Sequence, residues 1–132
     1  MDELQIWQNW QSGRLADAVV FIGSILAIWL ALRVANLTRS NSETDVIAKI
    51  VSSIFGMCVV AGSWMAYTIS ANTWTLTAGA LESLNEKSEV AEGFIEYVGV
   101  TGGVSTPDPL GMVFLIVIAL MILTLIWRPK KN

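Results

Sequence analysis

The chain has 132 residues, of which 54% are hydrophobic and only 14% are charged, and its formal net charge is −3. The mean hydropathy of +0.59 and the absence of histidine argue against a soluble enzyme built on the commonest general base and metal ligand. A single cysteine excludes an intrachain disulfide, an iron–sulfur cluster and a cysteine-based zinc site.

Three long apolar runs account for the high hydropathy. They extend from Leu15 to Leu32, from about Ile50 to Ile69 and from Leu110 to Trp127. Each approaches the roughly 20 residues that a helix needs to cross a bilayer, and none alternates as a barrel strand would. The sequence therefore predicts an all-α integral membrane protein with three transmembrane helices and an amphipathic extracytoplasmic helix between the second and third.

The N-terminal segment, 1–13, places Trp7 and Trp10 among polar and acidic residues. On a short helix the two indoles would share one side, and tryptophan favours the headgroup level of a membrane. We therefore predict an interfacial segment on the outer face, with Trp7 and Trp10 as its anchors. The alternative is that the two indoles form a docking surface for another subunit.

The first transmembrane helix is predicted over 14–35. Arg14 and Asp17 lie three residues apart near its outer end, where an ion pair would fix the depth of the helix or contact another subunit. Gly23 offers a small contact spot near the middle of the span. A polar cytoplasmic loop over 36–45 is predicted to follow.

The second transmembrane helix, predicted over 46–70, carries the clearest packing pattern of the chain. Small residues recur along it, and small residues let helices approach one another closely in lipid. They define two faces that we predict to contact partner helices: Ser52, Gly56 and Ser63 on one, and Gly62 and Ala66 on the other.

The segment over 71–108 is the longest piece outside the predicted spans. Trp74 near its start is a predicted interfacial anchor. Apolar residues recur at helical spacing from about 76 to 98, opposite a set of glutamates, so we expect an amphipathic helix lying along the outer surface. Because Lys87 interrupts the apolar side of this helix, two short helices in place of one are the alternative. The glutamates are expected to form a solvated face, with a partner contact as the other interpretation.

The third transmembrane helix is predicted over 109–127, with a basic cytoplasmic tail over 128–132. The helix is almost entirely aliphatic, so we expect it to face lipid, with Trp127 and Arg128 as anchors at its inner end. Six of the eight basic residues lie in or beside the first loop and in the tail. The N-terminus is therefore predicted to lie outside and the C-terminus in the cytoplasm of a cell membrane, most simply a bacterial inner membrane.

The predicted spans offer no groups for chemistry at mid-depth, where transporters and pumps place ionisable residues. No catalytic, cofactor or metal motif is evident. We therefore expect no enzyme activity of the chain itself, no cofactor other than bound lipids, no nucleic acid and no small-molecule substrate. The expected function is a small non-catalytic accessory subunit that packs against other integral membrane subunits of a respiratory, photosynthetic or membrane-monooxygenase complex.

Two other functions agree with parts of the sequence. Phage holins of the commonest class share the three spans, the outer N-terminus and the basic tail. However, the segment over 71–108 is long for a protein that packs against copies of itself, and the spans lack a polar face to line a wet hole. A small channel or transporter module would need polar groups at mid-depth, which are missing.

Overall fold

The computed structural model describes residues 1–41 and 43–129. Its helices are α1 (Glu3–Ser40), α2 (Val46–Glu82), α3 (Glu89–Val98) and α4 (Pro109–Trp127). Of these, α1, α2 and α4 are long and apolar enough to cross a membrane. The prediction of an all-α membrane protein with three spans and a short helix between the second and third is confirmed.

The length of α4 sets the thickness of the membrane bundle. Its 19 residues correspond to about 28 Å of helix, close to the roughly 30 Å of a hydrocarbon core. It begins beside Tyr67 of α2, whose Cδ2 lies 3.3 Å from a Cβ placed at Gly111. It ends beside Ser53, which accepts a 2.9 Å hydrogen bond from Trp127 Nε1. With 38 and 37 residues, α1 and α2 are twice as long and continue together beyond the start of α4.

The N-terminal segment belongs to α1 and does not form a separate interfacial helix. Asp2 caps α1 by accepting a 2.8 Å hydrogen bond from the Gln5 backbone nitrogen, while the Gln5 side chain accepts one from the Asp2 nitrogen. The helix then passes Gly13 without a break. A Cβ at Gly13 would lie only 3.1 Å from Thr73 Cγ2 of α2, so this glycine lets the two long helices run side by side.

The predicted amphipathic helix over about 76–98 is divided between the end of α2 and α3, with a connection over 83–88. Ser88 caps α3 by accepting a 3.2 Å hydrogen bond from the Ala91 nitrogen. The helix ends at Gly99, whose φ of +70° is left-handed and costs glycine no strain. The helix is interrupted, as in the alternative of two short helices, but only α3 is short, because residues 76–82 are the end of α2.

Most residues of α4 are exposed, and the expectation that these residues face lipid stays a prediction. One face of α4 nevertheless lies inside the bundle, where it supplies four of the seven residues of the buried apolar core. Four aliphatic residues on this face are at most 6% exposed: Leu115, Ile118, Ile122 and Ile126. They pack against three buried residues of α1: Ile28, Ala31 and Ala35. The sequence conceals this face because α4 is apolar all round, which leaves no periodic contrast.

The first predicted packing face of α2 lies inside the bundle. A Cβ at Gly56 would lie 2.6 Å from Cγ2 of the fully buried Ile122, so only glycine permits this approach of α2 to α4. Ser52 and Ser63 are also buried, and the Ser52 hydroxyl lies 2.7 Å from Thr38 Oγ1 of α1. This face therefore contacts helices of the same chain.

Beyond the start of α4, residues 1–13 and 72–107 form a small helical domain that we call the head. Its centre contains the buried side chains of Ile6, Leu81 and Ala91, one from each of α1, α2 and α3. The apolar side of α3 thus packs on α1 and α2, and its expected position along the outer surface stays a prediction. Burial within the head removes the apolar stripe from water without requiring a bilayer.

Glu3 attaches the start of α3 to α1. Its carboxylate accepts hydrogen bonds from the Ser88 hydroxyl at 2.6 Å, the Ser88 backbone nitrogen at 3.0 Å and Trp7 Nε1 at 3.0 Å. These donors, the Ser88 hydroxyl first, lower the pKa of Glu3 below its ordinary value of 4.5. The ionised form of Glu3 is therefore the form that holds the head together.

We expect Gly56→Ala to lower the free energy of unfolding by about 1–3 kcal/mol, the usual cost of overpacking a well-filled core. The added methyl group would collide with Ile122. Gly62→Ala is the matched control, because nothing lies within 4 Å of a Cβ at Gly62. Unfolding in mild micelles, followed by circular dichroism, measures both variants, and equal shifts would contradict the packing described.

We expect Glu3→Gln to speed hydrogen exchange of the first amides of α3 about threefold or more, because the neutral amide accepts these bonds poorly. Glu96→Gln is the control, since its carboxylate is exposed on the outer side of α3. Acid should act in the same way on the wild type. Because the pKa of Glu3 is lowered, the attachment is complete above pH 4.5 and is lost as the pH falls through the lowered value. A protection factor, which is the exchange rate corrected for its intrinsic pH dependence, that stays unchanged between pH 6 and about pH 3 would refute this role.

Candidate functional site

A lateral cleft of about 570 Å³ lies between α1 and α4 at the end of the bundle nearest the head. The two helices pack closely in the half of the bundle farther from the head. At the cleft their side chains are separated, and residues of α2 lie beneath the gap. Apolar residues form the walls: Val20, Phe21, Ile25, Leu110 and Phe114. The volume falls within the roughly 300–1,000 Å³ of small-molecule sites.

Small residues create the space inside the cleft. Ala66 and Ala71 of α2 lie on its floor, and Gly111 lies at the start of α4. Tyr67 closes the inner part of the cleft, where its hydroxyl lies 3.1 Å from Ser24 Oγ of α1. Ala66, which the sequence predicts to contact a partner helix, is therefore part of this cleft.

A hydrogen-bonded group of three side chains lies at the mouth of the cleft. Arg14 Nη1 is 3.3 Å from Asp17 Oδ2 and 3.4 Å from Ser70 Oγ, and Ser70 donates to Asp17 Oδ2 at 3.0 Å. The guanidinium also lies over the ring of Trp74, 5.2 Å from its centroid. The spacing in the sequence predicts the Arg14 and Asp17 pair, whereas the contribution of Ser70 depends on how α2 is rotated.

Asp108 adds a second carboxylate to the lining of the cleft. It is the N-cap residue of α4, yet its side chain makes no capping hydrogen bond and the residue is exposed. The cleft thus joins an apolar interior to a mouth that carries the carboxylates of Asp17 and Asp108. The guanidinium of Arg14 lies beside this mouth, in contact with Asp17 and Ser70.

The return from α3 to α4 is held against α2, which fixes the position of Asp108. The Asn72 side chain donates to the Val104 carbonyl at 2.7 Å and accepts from the Val104 nitrogen at 2.9 Å. Gly79 lies against the Thr101 carbonyl, where a Cβ would clash with that oxygen.

The three tryptophans predicted to anchor the outer end meet inside the head. Trp7 and Trp10 contact edge to face, with centroids 5.8 Å apart, and Phe94 of α3 lies 5.2 Å from Trp7. Trp74 stacks on Phe94 at 5.7 Å with an interplanar angle of 7°. Aromatic contacts of this kind add stabilisation beyond that of the buried ring area. These indoles therefore hold α1, α2 and α3 together.

Two of the predicted contact residues face away from the chain. Nothing lies within 4 Å of a Cβ placed at Gly23 of α1 or at Gly62 of α2. Both residues are exposed. They therefore remain available for the close approach of another helix, unlike Gly56.

The predicted inner anchors lie at the opposite end from the head. Trp127 bonds to Ser53, as described above, and Lys49 Nζ lies 5.8 Å from the centroid of its ring. Arg128 ends α4, with its backbone nitrogen bonded to the Thr124 carbonyl at 3.0 Å. Residues 130–132 of the predicted basic tail lie outside the described residues.

Within residues 1–41 and 43–129, no cluster of three or more histidine, cysteine, aspartate or glutamate side chains is arranged to hold a metal ion. No protein-family model matches the chain, and no curated protein or solved structure shows significant similarity to it.

Proposed function

We propose that the chain is a small non-catalytic subunit of a larger membrane complex, which packs against other integral membrane subunits and stabilises their assembly. The observation that carries this proposal is a contrast between the inside and the outside of the bundle. Inside, hydroxyl groups pair between helices, as Ser24 does with Tyr67 and Thr38 with Ser52. Outside, the spans are apolar and are indented at Gly23 and Gly62.

A channel or transporter module needs ionisable or polar groups along a path through the membrane. In α1 no charged residue occurs between Asp17 and Arg33, and in α2 none occurs between Lys49 and Glu82. The whole of α4 is uncharged. This distribution disfavours conduction through the chain and favours a packing role.

The indentations at the two exposed glycines suit close contact with another helix. In lipid the hydrophobic effect does not drive helices together, so association depends on shape and on small residues that let backbones approach. Gly23 is flanked by the exposed side chains of Ile22 and Leu26, and Gly62 has the exposed Met65 nearby. A partner side chain could insert between such neighbours.

The head offers a second contact outside the membrane. On the outer side of α3, Val90 and Tyr97 are 70% and 80% exposed, and they lie among the exposed carboxylates of Glu89, Glu92 and Glu96. Exposed apolar side chains rimmed by charge are typical of protein contact surfaces. A partner subunit with a basic, partly apolar surface would complement them.

The orientation in the membrane follows from the basic residues. Arg39, Lys49 and Arg128 all lie at the end of the bundle opposite the head. Because basic residues favour the cytoplasmic side, we infer an extracytoplasmic head and a cytoplasmic end of α4. The host complex would be one of respiratory, photosynthetic or membrane-monooxygenase type in a bacterial inner membrane.

We expect Gly23→Leu or Gly62→Leu to reduce co-purification of the partner subunits about tenfold, which corresponds to roughly 1.4 kcal/mol of lost packing. Leucine would fill the indentation and keep the partner helix away. Gly102→Leu is the matched control, because this exposed glycine between α3 and α4 lies outside both proposed contact surfaces and has nothing within 4 Å of its Cβ. The measurement is affinity purification from mild detergent, with the subunits quantified by mass spectrometry.

A wild-type chain that purifies in a stoichiometric complex with other membrane proteins would agree with this proposal. A chain that purifies only with copies of itself, and whose induction in bacteria causes abrupt lysis, would instead indicate the holin-like function. Equal retention of partners by all three leucine variants would refute the two glycines as contact sites.

A further inference from the structure

We propose that the cleft between α1 and α4 binds one phospholipid with a primary-amine headgroup. One of its two acyl chains fills the apolar interior, the other stays in the bilayer, and its zwitterionic headgroup pairs with Arg14 and Asp108. This site belongs to the isolated chain and does not depend on the accessory function.

The interior of the cleft fits an acyl chain better than a partner helix. A helix about 10 Å across occupies roughly 400 Å³ per 5.4 Å turn, so the 570 Å³ of the cleft would accept little more than one turn. An acyl chain is narrower and flexible, and it can follow the walls formed by Phe21 and Phe114. The cleft also opens sideways, since Val20 and Leu110 are exposed, so a lipid can enter from the bilayer.

The mouth of the cleft lies at the depth of a lipid headgroup. Asp108 immediately precedes α4, whose 19 residues match the hydrocarbon thickness of a bilayer. Asp17 lines the mouth on α1. Arg14 lies beside the mouth, in contact with the lining residues Asp17 and Ser70, and the head begins directly beyond them. An amphiphile whose chain fills the interior would therefore place its polar group among these charges.

The charges at the mouth complement a zwitterion. Asp17 is 14% exposed and pairs with Arg14, whose side chain is 39% exposed. Only Nη1 of the guanidinium takes part in the hydrogen bonds with Asp17 and Ser70, which leaves other N–H groups to bind a phosphate. The carboxylate of Asp108 makes no capping bond and can accept from an ammonium group.

A primary amine fits this mouth better than the headgroups of choline or glycerol lipids. A quaternary ammonium has no N–H to donate, and the ring of Trp74 that could attract it is already in contact with Arg14 and Phe94. An anionic glycerol headgroup would meet two carboxylates against one guanidinium. Phosphatidylethanolamine supplies both a phosphate for Arg14 and hydrogen-bonding protons for Asp108.

Native mass spectrometry of the full-length chain in mild detergent tests this site. The chain is incubated with equal amounts of phosphatidylethanolamine, phosphatidylcholine and phosphatidylglycerol that carry identical acyl chains. We expect a one-to-one adduct with phosphatidylethanolamine that exceeds each of the others about tenfold, the size of one charge-assisted hydrogen bond. Equal adducts of the three lipids, or no retained lipid, would overturn the proposal.

Two pairs of variants separate the interior from the mouth. Ala66→Leu should fill the floor and reduce the adduct about tenfold, whereas Ala61→Leu, at an exposed position of α2, should leave it unchanged. Asp108→Asn keeps a residue that suits an N-cap and should remove the preference for ethanolamine over choline. Asp45→Asn makes the same change at the N-cap of α2, at the far end of the bundle.

A preference for ethanolamine over choline that survives Asp108→Asn would overturn the headgroup assignment. An equal loss of the lipid adduct in Ala66→Leu and Ala61→Leu would overturn the location of the site in the cleft. Unfolding midpoints measured in parallel identify a variant that fails to fold. If Ala66→Leu fails to fold, the comparison of Asp108→Asn with Asp45→Asn decides whether the lipid binds in the cleft. Because the experiment uses the isolated chain, its failure is distinct from a failure of the chain to co-purify with other subunits.

Discussion

The close approach of α4 to α1 and α2 is the contact on which the rest of the structure depends. Lipid gives helices no hydrophobic gain from associating, so the spans hold together only where their shapes fit. Ala31 and Ala35 of α1 and Gly56 of α2 provide the narrow surfaces, and Ile122 and its neighbours on α4 fill them. Farther toward the head, the same three helices leave a cleft. Large side chains such as Phe21 and Phe114 form its walls, and the small residues Ala66 and Ala71 lie on its floor.

The head is stabilised by other contacts than the spans. There the apolar side of α3 is buried against α1 and α2, rings from three helices contact one another edge to face and by stacking, and the carboxylate of Glu3 accepts hydrogen bonds from the start of α3. The helices α1 and α2 pass without a break from the spans into the head. The mouth of the cleft lies at this boundary, where Arg14 and Trp74 belong to both regions.

The sequence predicts the spans well because their length and hydropathy are imposed by the bilayer, and the pair of Arg14 and Asp17 because helical spacing alone brings them together. It fails where the answer depends on helix rotation. An all-round apolar α4 shows no inner face, and nothing local indicates that Ser70 and Asp108 join the same cleft. The tryptophans resemble membrane anchors by composition, yet Trp7 contacts Trp10 and Phe94 edge to face within the head, because α1 continues through the predicted boundary.

The proposed packing function rests on outer surfaces that leave Gly23 and Gly62 open to the close approach of another helix. A photo-crosslinking amino acid placed at position 62 in intact membranes tests this proposal most directly. The account predicts one dominant adduct with a different integral membrane protein. Adducts whose masses are multiples of this chain, or adducts with lipid alone, would contradict it.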